Sequence, residues 1–140
     1  MEAFVAQVAA QQRDVATLQR TGQICAATMA ELVTEGGVKA VLMGSRATDP
    51  HCGDLEECSP SSPGWPPFMR VNPLLHWDYA DVWRLIDACR VPYCELYDRG
   101  YTSLGDTDDT LPHPDLAGRP ARELVDGGTE RCGRRKKKKE

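Results

Sequence analysis

The feature that most constrains this chain is a pair of glycines followed at once by an apolar run and a third glycine: Gly36 and Gly37, then residues 38–43 (VKAVLM), then Gly44. The run is apolar and partly β-branched along nearly its whole length, which predicts a strand of a parallel sheet buried on both faces. Just before it, residues 25–34 carry Met29, Leu32 and Val33 at helical spacing, and the two glycines stop a helix where its C-terminus should lie. Helix, glycine turn and strand make half of a repeating α/β unit. Further upstream, Phe4, Val8, Val15 and Leu18 predict an amphipathic helix within residues 1–24, closed by Gly22.

The 140 residues, 41% hydrophobic and 27% charged, suit about one globular domain and exclude disordered, collagen-like and membrane-spanning classes. No window reaches the roughly 18 apolar residues of a membrane helix. The net charge of -4 includes the basic residues of 134–139, so the rest of the chain is more acidic still. Such a body is a poor general partner for nucleic acid. The 6 cysteines are irregularly spaced with no secretory signal before them, which predicts reduced thiols and a cytoplasmic protein.

Residues 44–67 show no sustained period and are dominated by Gly, Pro, Ser, Asp and Thr, a loop far longer than usual. Residues 68–72 predict a short strand closed by Pro73. Asp78 is a good helix N-cap, and Tyr79, Val82, Trp83, Leu85 and Ile86 form an apolar stripe ending near Arg90, ahead of Pro92. A helical turn is expected over 93–98 before Gly100. Beyond Gly118 the pattern fades into polar residues and the basic run.

Three segments carry chemistry. GSRATDP, residues 44–50, follows the carboxyl end of the predicted strand, where open α/β sheets bind ligands. Gly44 lets backbone approach a ligand closely, and Arg46 offers a planar fork for phosphate oxygens; the alternative is a solvated turn completed by Asp49 and Pro50. GWPPFMRVNPLL, residues 64–75, sets Trp65 for stacking, Arg70 for a phosphate and Asn72 for a ring edge, or is a loop whose rings dock on the core. The hydroxyl-rich YDRGYTSLG, residues 97–105, reads equally as a ligand loop or a surface turn. His51, Cys52 and Cys58 lack the second pair a structural zinc site needs, so no metal site is expected.

In order and spacing, GSRATDP, SSPGWPPFMRVNPLLHWDYADVW, VPYCELYDRGYTSLG and TLPHPDL resemble the C-terminal half of the eukaryotic FAD synthase family, FMN adenylyltransferases of the PAPS-reductase-like group. The resemblance runs from about Cys25 to Leu116 and extends to GRPAREL at 118–124. It implies an α/β, Rossmann-like fold of the adenine nucleotide α-hydrolase type. It also implies transfer of AMP from ATP to FMN, with Mg²⁺, to give FAD and pyrophosphate. Carried over by position, Gly44, Arg46, Asp49 and Arg119 become nucleotide and phosphate contacts, Arg46 being the catalytic candidate. Trp65, Arg70, Asn72 and Trp77 become the flavin contacts. Adenylyl transfer is mainly positioning and charge neutralisation, chemistry that suits arginine, backbone amides and Mg²⁺.

The chain departs from the family at His76, where Asp is usual, and at His113, where Asn is usual. It also lacks the strand, SGGKDS-type phosphate loop and helix with which the family begins. Gly36, Gly37 and Lys39 do not replace them, because they precede a strand instead of opening a helix. The expectation is therefore a partial domain at 25–124 between an N-terminal helix (1–24) and a disordered basic tail (125–140), weak or inactive alone. Its expected partners are the small molecules FMN and ATP, with no membrane, no specific nucleic acid and no oligomeric state implied. A non-catalytic flavin- or nucleotide-binding remnant is the alternative. A sulfonucleotide reductase, which DYADVW and GYTSLG also resemble, needs a reactive cysteine beyond this segment; residues 106–114 hold none and Cys132 stands alone.

Overall fold

The computed structural model describes residues 25–135, together with Ala6 and Ala10. Those two alanines are helical, and the rest of the helix expected over 1–24 lies outside the described residues, as do residues 136–140. Among the described residues no helix is long and apolar enough to cross a membrane. They fall into two compact units, 25–77 and 78–135.

The first unit is the predicted α/β half-unit. Helix α1 is Ala26–Thr34, and strands β1 (Ala40–Leu42), β2 (Cys58–Pro60) and β3 (Met69–Val71) form a sheet in the order β1-β3-β2. β1 and β3 are parallel, with Val41 opposite Arg70; β2 runs antiparallel to β3, with Cys58 opposite Val71. The sheet is therefore mixed, and its register decides which side chains share a face.

Two expectations about this unit are corrected. β1 is not buried on both faces: Leu42 is 75% exposed. A strand apolar on both sides is buried only where something covers each side, and α1 supplies cover through Met29 on the Val41 side alone. The stretch 44–67 is also not structureless, because β2 lies within it. Three residues are too few to show a period, and Pro60 at the end of an edge strand gives up no ladder bond a central strand would need.

The second unit opens with helix α2, Tyr79–Cys89. Asp78 is the N-cap the sequence suggested, and with Asp81 it closes a capping box: Asp81 N donates to Asp78 Oδ1 at 2.7 Å and Asp78 N to Asp81 Oδ2 at 3.0 Å. It ends at Arg90 in the left-handed region (φ 51°), before Pro92. Leu85 is exposed, two residues on from Trp83 and so turned off the stripe that Tyr79, Val82, Trp83 and Ile86 keep. Trp83 meets Tyr79, Tyr93 and Tyr97 edge to face, at ring distances of 6.3, 5.3 and 5.6 Å.

The rest of this unit is a series of 3₁₀ turns: Glu95–Arg99, Thr107–Asp109, Pro114–Leu116, Ala121–Glu123 and Gly127–Thr129. The expected turn before Gly100 is among them. The segment after Gly118, where the sequence pattern fades, supplies fully buried Ala121 to the core, and Leu124 packs against it. Part of the expected tail has regular contacts as well, since Arg134 bridges to Thr110.

Candidate functional site

The loop that leaves β1 is pinned at both ends, by Met43 N donating to Val71 O (2.8 Å) and Ala47 N to Leu75 O (2.7 Å). Between them Asp49 closes a turn: its carboxylate accepts from Arg46 N at 2.9 Å and from the Arg46 guanidinium at 3.1 Å. This half-buried ion pair holds the Arg46 guanidinium against the turn. A Cβ at Gly44 would touch nothing within 4 Å, so no packing inside the protein calls for glycine there.

The flavin-motif residues divide between two cavities. Val41 and Arg70 share one face of the sheet, while Val71 and Cys58 share the opposite one, because side chains alternate along a strand. On the first face a cavity of about 330 Å³ is lined by Met29, Val41, Met43, Trp65, Phe68 and Arg70, with Ser62 beside them. Trp65 is 39% exposed. Arg70 donates to Pro60 O (3.1 Å) and to Ser62 Oγ (3.4 Å), but its buried Nε has no hydrogen-bond partner among the described residues. Its cross-strand neighbour Ser59 likewise has a buried, unpartnered Oγ. Leaving buried polar groups unpaired costs about 1–3 kcal/mol each; these two atoms lie within the sheet, while other atoms of the Arg70 side chain line the slot.

Asn72 and Trp77 line the other cavity, about 390 Å³, with Glu57, Cys58, Val71 and His76. Asn72 is 2% exposed and its side-chain amide donates to Glu56 O at 2.7 Å, while its backbone N donates to Glu57 O at 2.8 Å. It ties the end of β3 to the segment before β2. His76, at the position where the resemblance expects Asp, lies 3.4 Å from the Glu57 carboxylate, a neighbour that a second carboxylate would repel.

Arg119 belongs to the second unit. It follows Ala117 and Gly118, both at positive φ (49° and 84°), and its guanidinium donates to Leu116 O and Asp115 O (each 3.2 Å) and pairs with Glu123 at 3.3 Å. It lines a cavity of about 200 Å³ with Asp115, Glu123 and Thr129. The hydroxyl-rich loop is largely occupied with structure. Thr102 Oγ1 donates to Glu130 O at 2.6 Å, and Arg134 covers Gly105, donates to Leu104 O at 2.8 Å and pairs with Asp109 at 3.4 Å.

Sequence reasoning missed Met29, Met43 and Phe68 as walls of the Arg70 slot, and it missed Arg122. The Arg122 guanidinium lies over Trp83 (5.6 Å) and Tyr93 (5.4 Å), pairs with Asp87 at 2.9 Å and contacts the Tyr93 hydroxyl. Those partners lie too far along the chain for any local motif to announce them. Burial pushes the Tyr97 hydroxyl above its ordinary pKa, with the charges of Cys94 and Glu130 adding to the shift. The Cys25 thiol is lowered by its hydrogen bond to Thr28.

A family model described as the phosphoadenosine phosphosulfate reductase domain matches residues 2–112. A probable FAD synthase of Schizosaccharomyces pombe is 44% identical over 102 residues, covering 69% of this chain and 38% of the relative. A probable FAD synthase of Caenorhabditis elegans is 45% identical over 113 residues, covering 72% of this chain and 21% of the relative. The chain thus spans well under half the length of these curated relatives. Among solved structures, Candida glabrata FMN adenylyltransferase in complex with FMN and the ATP analogue AMPCPP superposes with a TM-score of 0.84 at 28% identity, over 98% of this chain and 63% of that one. Yeast FAD synthetase in complex with FAD gives 0.76 at 25% identity, over 95% and 62%. The expected α/β fold is that of these enzymes, in part, and the chain belongs to the phosphoadenosine phosphosulfate reductase domain family.

Proposed function

We propose that this chain carries FAD synthase chemistry, with FMN and ATP as its substrates. The observation that carries the reading is the Arg70 slot: an apolar cavity walled by Trp65 and Phe68, with the Arg70 side chain in its lining. Its size and lining suit a planar heterocycle attached to an anion. Trp65 stacks on the flavin and Arg70 meets its polar edge or phosphate. Asn72 holds the strand that presents Arg70, and Trp77 lines the neighbouring cavity. Gly44, Arg46 and Asp49 are the nucleotide contacts after β1, with Arg119 a further phosphate contact in the second unit. In the reaction an FMN phosphate oxygen bonds to the α-phosphorus of ATP, the bond to the β-phosphate oxygen breaks, and pyrophosphate leaves with the electron pair. Arginines and backbone amides neutralise that charge.

Among the described residues no group of three His, Cys, Asp or Glu side chains could hold a metal ion. Mg²⁺ does not fit as a resident ion of these residues; it enters with the phosphates of ATP. The cytoplasm is the compartment this reading implies.

One observation favours a second reading, flavin binding without conversion: the Arg46 guanidinium is already engaged by Asp49. Incubating the chain with FMN, ATP and Mg²⁺, with the phosphate-loop half of a relative supplied in trans, and separating the flavins by chromatography divides the two. FAD formed with that half and lost on Arg46→Ala supports the synthase, and retained FMN with no FAD even then supports the binder. Under either reading flavin binds more tightly than ATP in calorimetric titrations, and the reverse order sinks both.

A further inference from the structure

We propose that His113 is a positioning residue, one that sets the direction of Arg119 by tying together two walls of the cavity it lines. The inference rests on reading Arg119 as a phosphate contact. His113 is 1% exposed and, with Leu116, is among the largest fully buried side chains. Its Nδ1 faces Asp115 N at 3.3 Å and its Nε2 faces Thr129 O at 3.0 Å. An amide N–H only donates and a carbonyl oxygen only accepts, so the tautomer is fixed: Nδ1 is bare and accepts, and Nε2 carries the proton and donates. Asp115 and Thr129 both line the cavity that contains Arg119, as do Glu123, paired with the guanidinium at 3.3 Å, and Asp126, whose carboxylate accepts from Gly128 N at 2.9 Å.

The same imidazole governs the direction of Arg119. His113 caps the 3₁₀ turn Pro114–Leu116, fixing its first end. At the other end Asp115 O and Leu116 O hold the Arg119 guanidinium, and Leu116 O also accepts from Arg119 N at 2.9 Å. His113 N donates to Gly100 O at 2.8 Å, and Gly100, at φ 83°, is so close to the Arg119 carbonyl that a Cβ there would come within 3.0 Å of it. One buried ring therefore fixes the turn that aims Arg119 and the distance between that turn and the 126–130 segment opposite. A short amide such as Asn can reach an N–H two residues on, as in an Asx turn, but it ends well before a carbonyl that an imidazole meets with its far nitrogen. His113→Asn thus separates the two ties.

The test uses the full chain with inorganic pyrophosphate as probe, titrated calorimetrically against wild type, His113→Asn, His113→Ala and Arg119→Ala. Expected for His113→Asn are a retained fold, a still protected Asp115 amide in hydrogen exchange, and pyrophosphate bound about fivefold more weakly, the worth of one neutral hydrogen bond. His113→Ala loses the Asp115 protection as well and binds more weakly still. Wild-type pyrophosphate affinity in His113→Asn, with Arg119→Ala impaired, overturns the positioning role alone. No effect of Arg119→Ala overturns the phosphate reading beneath it. Should both His113 variants fail to fold, long-range nitrogen NMR of the wild type still decides. A bare Nδ1, with Asp115 and Thr129 resonances that move with pyrophosphate, supports the role; the opposite tautomer, or resonances that ignore the anion, contradicts it.

Discussion

The two units are held together in different ways. Residues 25–77 use backbone ladders and one covering helix, and leave apolar side chains such as Leu42 and Trp65 facing outward. Residues 78–135 have one α-helix and otherwise short turns, fastened by side chains that reach far along the chain: Tyr79 Oη to Ala121 O (2.9 Å), Thr102 to Glu130 O, His113 to Thr129 O and Arg134 to Leu104 O. Each such bond satisfies a carbonyl that no ladder would reach, which is how a unit with little regular structure avoids orphaned backbone groups. Both units leave apolar side chains exposed, Leu85 and Val125 in the irregular one, so the contrast lies in how each is fastened: by a backbone ladder in one and by long-range polar side chains in the other.

Two leucines sharpen that contrast most. Leu116→Ala, in the fastened unit, should destabilise the chain by about 2–5 kcal/mol through lost burial and the cavity left behind. Chemical denaturation measures it, and a cost near zero would mean the unit is not packed as described. Alkaline pH comes next. Burial raises the Tyr97 pKa above its ordinary 10.0, so the folded state favours the neutral phenol. Its contribution is full below that value and is lost as pH rises through the higher folded one. Stability should therefore fall above about pH 10 in wild type and fall less in Tyr97→Phe, as thermal melts across that range would reveal. Leu42→Ser should change stability by no more than about 0.5 kcal/mol, as at other exposed positions. A large loss would mean that the open face of β1 is covered in solution.

What the sequence made legible follows the same division. The glycine-bounded half-unit and the capped helix were readable because period, caps and turn residues are local signals. β2 was not, because three residues carry no period, and Leu42 misled because an apolar residue reports what would suit it and not what covers it. In the irregular unit the helix stripe marked Tyr79 and Trp83, but nothing local marks what packs against them. Ala121 is too small to stand out, and Arg122 finds Asp87 across a separation of 35 residues. At the site, Trp65 and Arg70 were readable as a pair, yet only the sheet register puts Asn72 and Trp77 on the other cavity. His113 was visible as a departure from the family, while its partner Thr129 O is a backbone atom that no residue type announces.

The central claim is that the Arg70 slot is the flavin site, and a titration of FMN followed by quenching of its fluorescence tests it most directly. Arg70→Ala should weaken FMN binding by about 1.5–3 kcal/mol, the worth of a hydrogen bond to a charged group, with the melting temperature nearly unchanged. A folded Arg70→Ala chain that binds FMN as tightly as wild type would contradict the account.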